Sequence, residues 1–320
     1  MTRPGASRRV IHLLPGLWAA PEGAVAGAPP LSVRRLARWL GRARGGVTGT
    51  EAPGWEAALA ERLGYRPTDS GWRTWLVQPV QLTAGMKDLV AYPVDPVSEA
   101  EREALWSAAQ PELEAAGATL ALSEDGLWEL RMDAEGDASG PPPSLGMGRA
   151  MVAPSMQGDV ARRLQVLANA LQMAWFQHPV NLAREREGRG AVHGLWPWSP
   201  GHPGGPTSVG RVCGGGVVAH WLARGAGIDW AADPAADPAE SGDTVVVVEA
   251  LEAAPSLERR LELLESVADD VVAPKLRALL RGGLGALEFV DPQSTAGSGA
   301  GALVLERRDA LAFWRRPRRP

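Results

Sequence analysis

The sequence predicts an α/β protein with a mostly parallel central sheet and an inserted α+β portion. Three observations carry this. The second half alternates helical and strand patterns, which is the signature of a sheet covered by helices. Val245–Val248 is an unbroken β-branched run, as in a strand buried on both faces. A block from roughly 53 to 133 mixes strands and helices and ends at the proline-rich stretch Pro141-Pro-Pro143. Three segments are expected: an N-terminal strand and helix of the core over 1–50, the α+β portion over 51–140, and the α/β core with a basic C-terminal tail over 141–320.

Taken in order, Val10–Leu14 reads as a strand and Ala20–Pro30 as a loop. Leu31–Leu40 has Leu31, Val33, Leu36, Trp39 and Leu40 on or near one helical face, with Arg34, Arg35 and Arg38 on the other. Gly54–Leu63 has helical spacing, and Arg42–Pro53 reads as a link. Trp72–Leu82 reads as a strand. Ser98 is a good N-cap for a helix that closes at Gly117. Thr119–Leu122 and Leu127–Met132 form a hairpin about Glu124-Asp125-Gly126. Gly158–Glu187 is a long helical pattern interrupted by Pro179. Thr207–Gly216 reads as a glycine-rich loop before the helix Val217–Arg224, and Asp229–Gly242 as a loop. Asp243–Ala250 is a buried strand. A helix from Ser256 to Arg281 should kink near Pro274. Leu287–Val290 and Ala302–Glu306 read as short strands before the arginine-rich tail.

Composition narrows the classes. The chain has 45% hydrophobic and 22% charged residues, ordinary for a globular protein, and a net charge of −4 that gives no case for nucleic acid. No apolar run reaches the ~18 residues of a membrane span. The one cysteine, Cys213, excludes an intramolecular disulfide and a cysteine-based metal cluster. Arg8-Arg9 ahead of an apolar stretch, with Ala24-Val-Ala26 beyond, resembles a leader. His12, Pro15 and Gly16 interrupt that stretch, so it is read as a first strand and a cytoplasmic location is expected.

The densest chemistry lies between Asn169 and Gly201. Pro179 removes a backbone donor and frees the Trp175 carbonyl; His178, Asn181, Gln172 and Gln177 stand beside the break. They could satisfy the broken helix or line a polar pocket. Trp196-Pro-Trp198 is a bulky wedge, either anchoring a loop or walling a ligand or partner site. Gly214-Gly-Gly216 before a helix could present N–H groups to an anion, but it lacks the P-loop ending and reads more simply as a turn. The five histidines, His12, His178, His193, His202 and His220, form no metal-ligand motif.

These residues also carry a resemblance. The segment Gln172-Met to Asn181 with Arg184-Glu185, the Trp196-Pro-Trp198-Ser-Pro-Gly201 stretch, Gln78-Pro-Val-Gln-Leu82 and the Phe313-Trp-Arg-Arg-Pro end are similar to the RpfE-type bacterial regulatory proteins, which are phosphoglycerate-mutase-like. The Trp-x-Trp stretch also resembles the archaeal-type cofactor-independent phosphoglycerate mutases. The resemblance implies a reduced alkaline-phosphatase-like core. The chain departs from it where metal chemistry would sit. The first strand ends Leu14-Pro15-Gly16 rather than Asp-Gly, Val248-Glu249 leads to no histidine, and neither does Asp291-Pro292. Gln78 and Gln81 stand where Asp and His are usual in the RpfE-type pattern.

The resulting expectation is a regulatory, non-catalytic relative, a pseudoenzyme with no metal and no cofactor. It would bind a small anionic ligand or a protein partner, with a site formed by His178, Asn181, Arg184, His193, Trp196 and Trp198, in which Arg184 would pair a carboxylate or phosphate. One alternative is a metal-dependent phosphoglycerate mutase or phosphatase with ligands from His193, His202, His220, Asp243 and Glu249. Another is a scaffold that docks partners through its tryptophans and arginine tail.

Overall fold

The computed structural model describes residues 8–17, 31–46, 54–66, 72–84, 89–133, 140–148, 150–151, 159–252, 254, 256–293 and 302–311. The expected loop at 20–30, the leader-like Ala24-Val-Ala26 and the tail at 313–320 lie outside these residues.

The strands are β1 Arg9–Leu13, β2 Arg44–Gly46, β3 Tyr65–Arg66, β4 Trp72–Ala84, β5 Leu89–Pro93, β6 Ala118–Leu122, β7 Trp128–Asp133, β8 Ala150–Met151, β9 Gly194–Trp198, β10 His202–Pro203, β11 Val209–Gly214, β12 Asp229–Ala231, β13 Asp243–Val247, β14 Ala286–Val290 and β15 Ala302–Glu306. The helices are α1 Leu31–Leu40, α2 Gly54–Arg62, α3 Glu99–Ala116, α4 Pro143–Gly146, α5 Asp159–Trp175, α6 Pro179–Arg186, α7 Gly216–Gly225, α8 Leu257–Ser266, α9 Ala273–Arg281 and α10 Arg307–Leu311. No helix among the described residues is long and apolar enough to cross a membrane.

The chain divides into two compact units, 1–64 with 204–320, and 65–203. The unit that holds the predicted α+β elements runs on to 203. The physical reason is β9, whose residues Gly194–Trp198 pair with Val80–Leu76 of β4 and draw the intervening helices into the same unit.

The first unit is built on a seven-stranded sheet of order β12-β11-β13-β1-β14-β15-β2. The strands β12, β11, β13, β1 and β14 are mutually parallel, and β15 and β2 are antiparallel additions. The expected buried central strand is β13, buried at every position from Asp243 to Val247. One face, through Val10, Leu14, Val246, Leu287 and Phe289, packs on Leu36 and Leu40 of α1, Leu276 and Leu279 of α9 and the valines between α8 and α9. Those valines, at 267–272, form a π-helical stretch just before Pro274, where the sequence predicts a kink. A proline has no N–H to donate, and the widened turn accommodates it.

Two loop expectations are corrected here. Val209–Gly214 is a strand, and so is Asp229–Ala231, because each completes the parallel ladder beside β13. Arg44–Gly46, expected as link, forms the far edge strand.

The second unit is an antiparallel sheet of order β6-β7-β4-β5-β8, with β9 also on β4. The predicted hairpin is β6–β7. Trp75, Trp128, Leu130 and Met132 of the sheet pack with Leu105, Ala109 and Leu113 of α3 and with Leu164, Leu167, Leu171 and Trp175 of α5. Helix α3 begins with the predicted cap: the Ser98 hydroxyl accepts from Glu101 N–H while the Glu101 carboxylate accepts from Ser98 N–H. It ends at left-handed Gly117. The Trp196-Pro-Trp198 stretch, expected as a loop, is strand β9.

Candidate functional site

The broken helix resolves residue by residue. Pro179 is the first residue of α6, with His178 as N-cap; its Nδ1 accepts from Val180 N–H at 3.3 Å. Asn181 is 1% exposed. Its amide nitrogen donates to the carbonyls of Trp175 and Val192, each at 2.8 Å, and its oxygen accepts from Val192 N–H at 2.8 Å. The Trp175 carbonyl, which Pro179 deprives of its usual helical donor, accepts instead from the Asn181 amide and from His178 N–H at 3.1 Å.

Arg184 is fully buried. Its guanidinium donates to the carbonyls of Gly190 (2.7 Å), Asp95 (2.8 Å) and Pro96 (3.4 Å), and to the Glu101 carboxylate at 3.1 Å. The carboxylate expected from a ligand is supplied by Glu101 of the chain itself. Arg189 meets the other Glu101 oxygen at 2.7 Å. Burial works against ionisation of Glu101, but hydrogen bonds from Arg189 and Ser98 and the field of Arg184 outweigh it and hold its pKa at about 2.

His193 lies where β9 begins: its N–H donates to Val80 O at 2.8 Å, and its ring Nδ1 lies 3.1 Å from both the N–H and the carbonyl of Leu82. Trp196 and Trp198 sit at alternate, inward positions of β9 and are 5% and 2% exposed. The Trp196 indole donates to Pro141 O at 2.9 Å and lies flush on Gly146, where a Cβ would collide with the ring. All six residues are brought into one unit.

The metal-ligand alternative is distributed differently. Within the first unit, Asp243 and Glu249 stand at opposite ends of β13, roughly 20 Å apart at ~3.3 Å per residue. Asp243 accepts from Arg9 N–H (2.9 Å), the Arg9 guanidinium (2.8 Å) and the Ser208 hydroxyl (2.8 Å). Burial alone would raise its pKa; these donors overcome it and hold the carboxyl below its ordinary value. The His220 ring stacks on Trp230 with centroids 4.4 Å apart. His193 and His202 belong to the other unit. Among the described residues, no three His, Cys, Asp or Glu side chains gather so as to hold a metal ion.

The fold itself points to another place. From β11 the chain leaves through α7 outward to β12, whereas from β13 it leaves through α8 and α9 across β1 to β14. The connections diverge, so the carboxyl ends of β11 and β13 form a switch point, the usual ligand crevice of an open parallel sheet. Here Gly214, Gly215 and Gly216 all have positive φ, and Glu249 Oε2 accepts from Gly215 N–H at 3.0 Å. The anion at this helix start is the chain's own carboxylate.

Next along the same edge, buried Asp291 accepts from Gly16 N–H (2.7 Å) and Gln293 N–H (3.0 Å). Gln293 donates its side chain to Glu252. Half-buried Arg260 reaches in from α8 to donate through Nη2 to the Gly16 carbonyl; among the described residues its other nitrogens have no hydrogen-bond partner. These residues do not fit a two-metal centre. The first strand brings no carboxylate, no histidine stands among them, and a fixed guanidinium occupies the edge.

Sheet, crossover helices and carboxylate-lined edge define an α/β protein whose natural ligand position is the carboxyl ends of its parallel strands. No family model and no curated protein matches the chain. Among solved structures, it is similar to a cofactor-independent phosphoglycerate mutase from Thermoplasma acidophilum DSM 1728, with TM-score 0.39 and 13% identity over 94% of this chain and 89% of that one. It is also similar to the PH0037 protein from Pyrococcus horikoshii, with TM-score 0.43 and 13% identity over 96% and 92%.

Proposed function

We propose that this chain is a phosphoglycerate-mutase-like, alkaline-phosphatase-like protein that acts by binding a small anion rather than by turnover. The sequence resemblance to the RpfE-type regulatory proteins supports the relationship. The carboxyl edge of the sheet carries the reading. Phosphoryl chemistry of the metal-dependent kind needs cations held by free carboxylates and imidazoles. At this edge Asp291 and Glu249 are committed to backbone N–H groups of their own chain. The cation present is Arg260, whose guanidinium opposes a metal ion by like charge and suits a carboxylate or phosphate bidentately. A small organic anion at Arg260 is the ligand class that fits.

The test joins metal analysis, turnover and binding on one preparation. Purified protein is loaded with Mn²⁺ or Zn²⁺, analysed for metal, and assayed for interconversion of 3- and 2-phosphoglycerate. Titration with 3-phosphoglycerate follows by calorimetry. The expected result is no stoichiometric metal, no interconversion, and binding that Arg260→Gln removes. Metal-dependent turnover would establish the enzyme instead, and absence of binding would remove the anionic ligand.

A further inference from the structure

We propose that α5 is a self-association face, on which a second copy of this chain docks its own α5 antiparallel. From Leu164 to Ala183 the sequence contains no Asp, Glu, Lys or Arg. One side of α5 needs no charge, since Leu164, Leu167, Leu171 and Trp175 are core. The other side faces outward and is apolar as well: Val166 is 63% exposed, Met173 78% and Phe176 61%. An outward helix face ordinarily carries the charged residues. Here large apolar side chains stand there in a row, and such a row marks an interaction site.

Spacing and charge point to the occupant. Val166, Asn169, Met173 and Phe176 follow one another at steps of three, four and three, the seam of a two-stranded coiled coil. Phe176 keeps the helical register because its N–H bonds to Gln172 O at 3.0 Å. In an antiparallel pair the seam positions alternate, so Val166 meets Phe176 of the second copy and Asn169 meets Met173. A two-fold pairing is self-consistent over the whole seam. Flanking Gln165, Ala170 and Gln172 are uncharged, so two copies of a chain with net charge −4 can approach here without facing like charges. Gln165 Nε2 donates to Asn169 Oδ1 at 3.1 Å, which holds the one polar seam residue in place. The helix of 17 residues spans ~25 Å. A seam of that length alone falls in the weak, reversible class of interface.

The test uses the full chain. Sedimentation equilibrium over a wide concentration range should show a reversible monomer–dimer exchange, weakened at least about tenfold by Met173→Glu. Met173 is exposed, and unchanged circular dichroism confirms the fold of the variant. Register is tested by mixing Asn169→Cys protein with Met173→Cys protein under mild oxidation. Disulfide dimers should form between the two variants and not within either one. A wild type that stays monomeric at the highest concentration overturns the proposal. So does a dimer that Met173→Glu leaves intact, or cross-linking of Asn169→Cys to itself, which would mean a parallel or different contact.

Discussion

The side-chain amide of Asn181 donates to the carbonyl of Trp175 at 2.8 Å, across the break that Pro179 makes between α5 and α6. The same side chain holds both backbone groups of Val192. Three hydrogen bonds of a residue 1% exposed thus tie the helix break to the approach of β9. Truncation to Ala strands the carbonyl and the N–H of Val192 in the interior, while the Trp175 carbonyl keeps the His178 N–H. At ~1–3 kcal/mol for each stranded group, Asn181→Ala should cost about 2–6 kcal/mol. His178→Ala, which removes only a cap, should cost about 1 kcal/mol. Urea unfolding followed by tryptophan fluorescence measures both; equal costs would contradict the assignment.

Arg184 and Glu101 form the second test. Lysine keeps the charge but cannot reproduce a fork aimed at three carbonyls and a carboxylate. Arg184→Lys and Arg184→Met should therefore both destabilise strongly, by about 3–5 kcal/mol, since each leaves buried partners unmet. Were Arg184 a ligand contact, both variants would instead be stable and defective in binding. The pH dependence follows from Glu101. Its pKa in the fold, about 2, lies below its ordinary value of 4.5. The stabilisation is complete above the ordinary value and is lost as pH falls from there toward 2.

Much of the fold was legible because its signals are local. The Val245–Val248 run, the Ser98 cap with Glu101, Gly117 and the 118–133 hairpin each declare themselves within a few residues. What was not legible depends on partners distant in sequence. Val209–Gly214 reads as a loop from its glycines and becomes a strand only because β13 and β12 flank it. Trp196-Pro-Trp198 becomes a strand through β4, more than a hundred residues earlier. The candidate site shows the same limit. The sequence located the polar residues around Pro179, but only the fold reveals that Glu101 and Val192 already occupy Arg184 and Asn181. Arg260 and Gln293 gave no signal, since neither stands in a motif. Met173 and Phe176 could have been found from the absence of charge between Arg163 and Arg184.

The turn before α7 tests the switch point. Gly215 has φ +73°, and a Cβ there would lie 2.5 Å from the Ala219 Cβ. Gly215→Ala thus meets both backbone strain and a collision, and should cost more than ~1 kcal/mol. Glu249→Gln keeps an oxygen for the Gly215 N–H but removes the charge from the helix start, a loss of about 0.3–1 kcal/mol. Thermal midpoints should fall clearly for the first and slightly for the second. If Glu249→Gln matches Gly215→Ala in cost, the carboxylate does more than cap the turn.

The last prediction concerns His12, which lies in the middle strand of the parallel sheet with no exposed surface. Its ring stacks on Phe289, centroids 4.8 Å apart and planes within 10°. Nδ1 is 3.2 Å from the Glu288 carbonyl, while Nε2 has no partner among the described residues. Charging this ring would place a cation against Phe289 on a face it shares with buried Lys275. Burial first, and the Lys275 charge second, bring its pKa down to about 3. The unfolded chain binds the His12 proton near pH 6.5, the ordinary value, whereas the folded chain does so only near 3. The unfolded state therefore holds more protons between those limits. Stability is full above about 6.5 and falls as pH drops, with His12 contributing up to ~1.4 kcal/mol per pH unit. His12→Leu keeps an apolar side chain on the sheet and removes the titration. Denaturation midpoints measured from pH 7.5 to 4 should fall less steeply for His12→Leu than for the wild type. Parallel curves would mean that the acid sensitivity arises from the carboxylates alone.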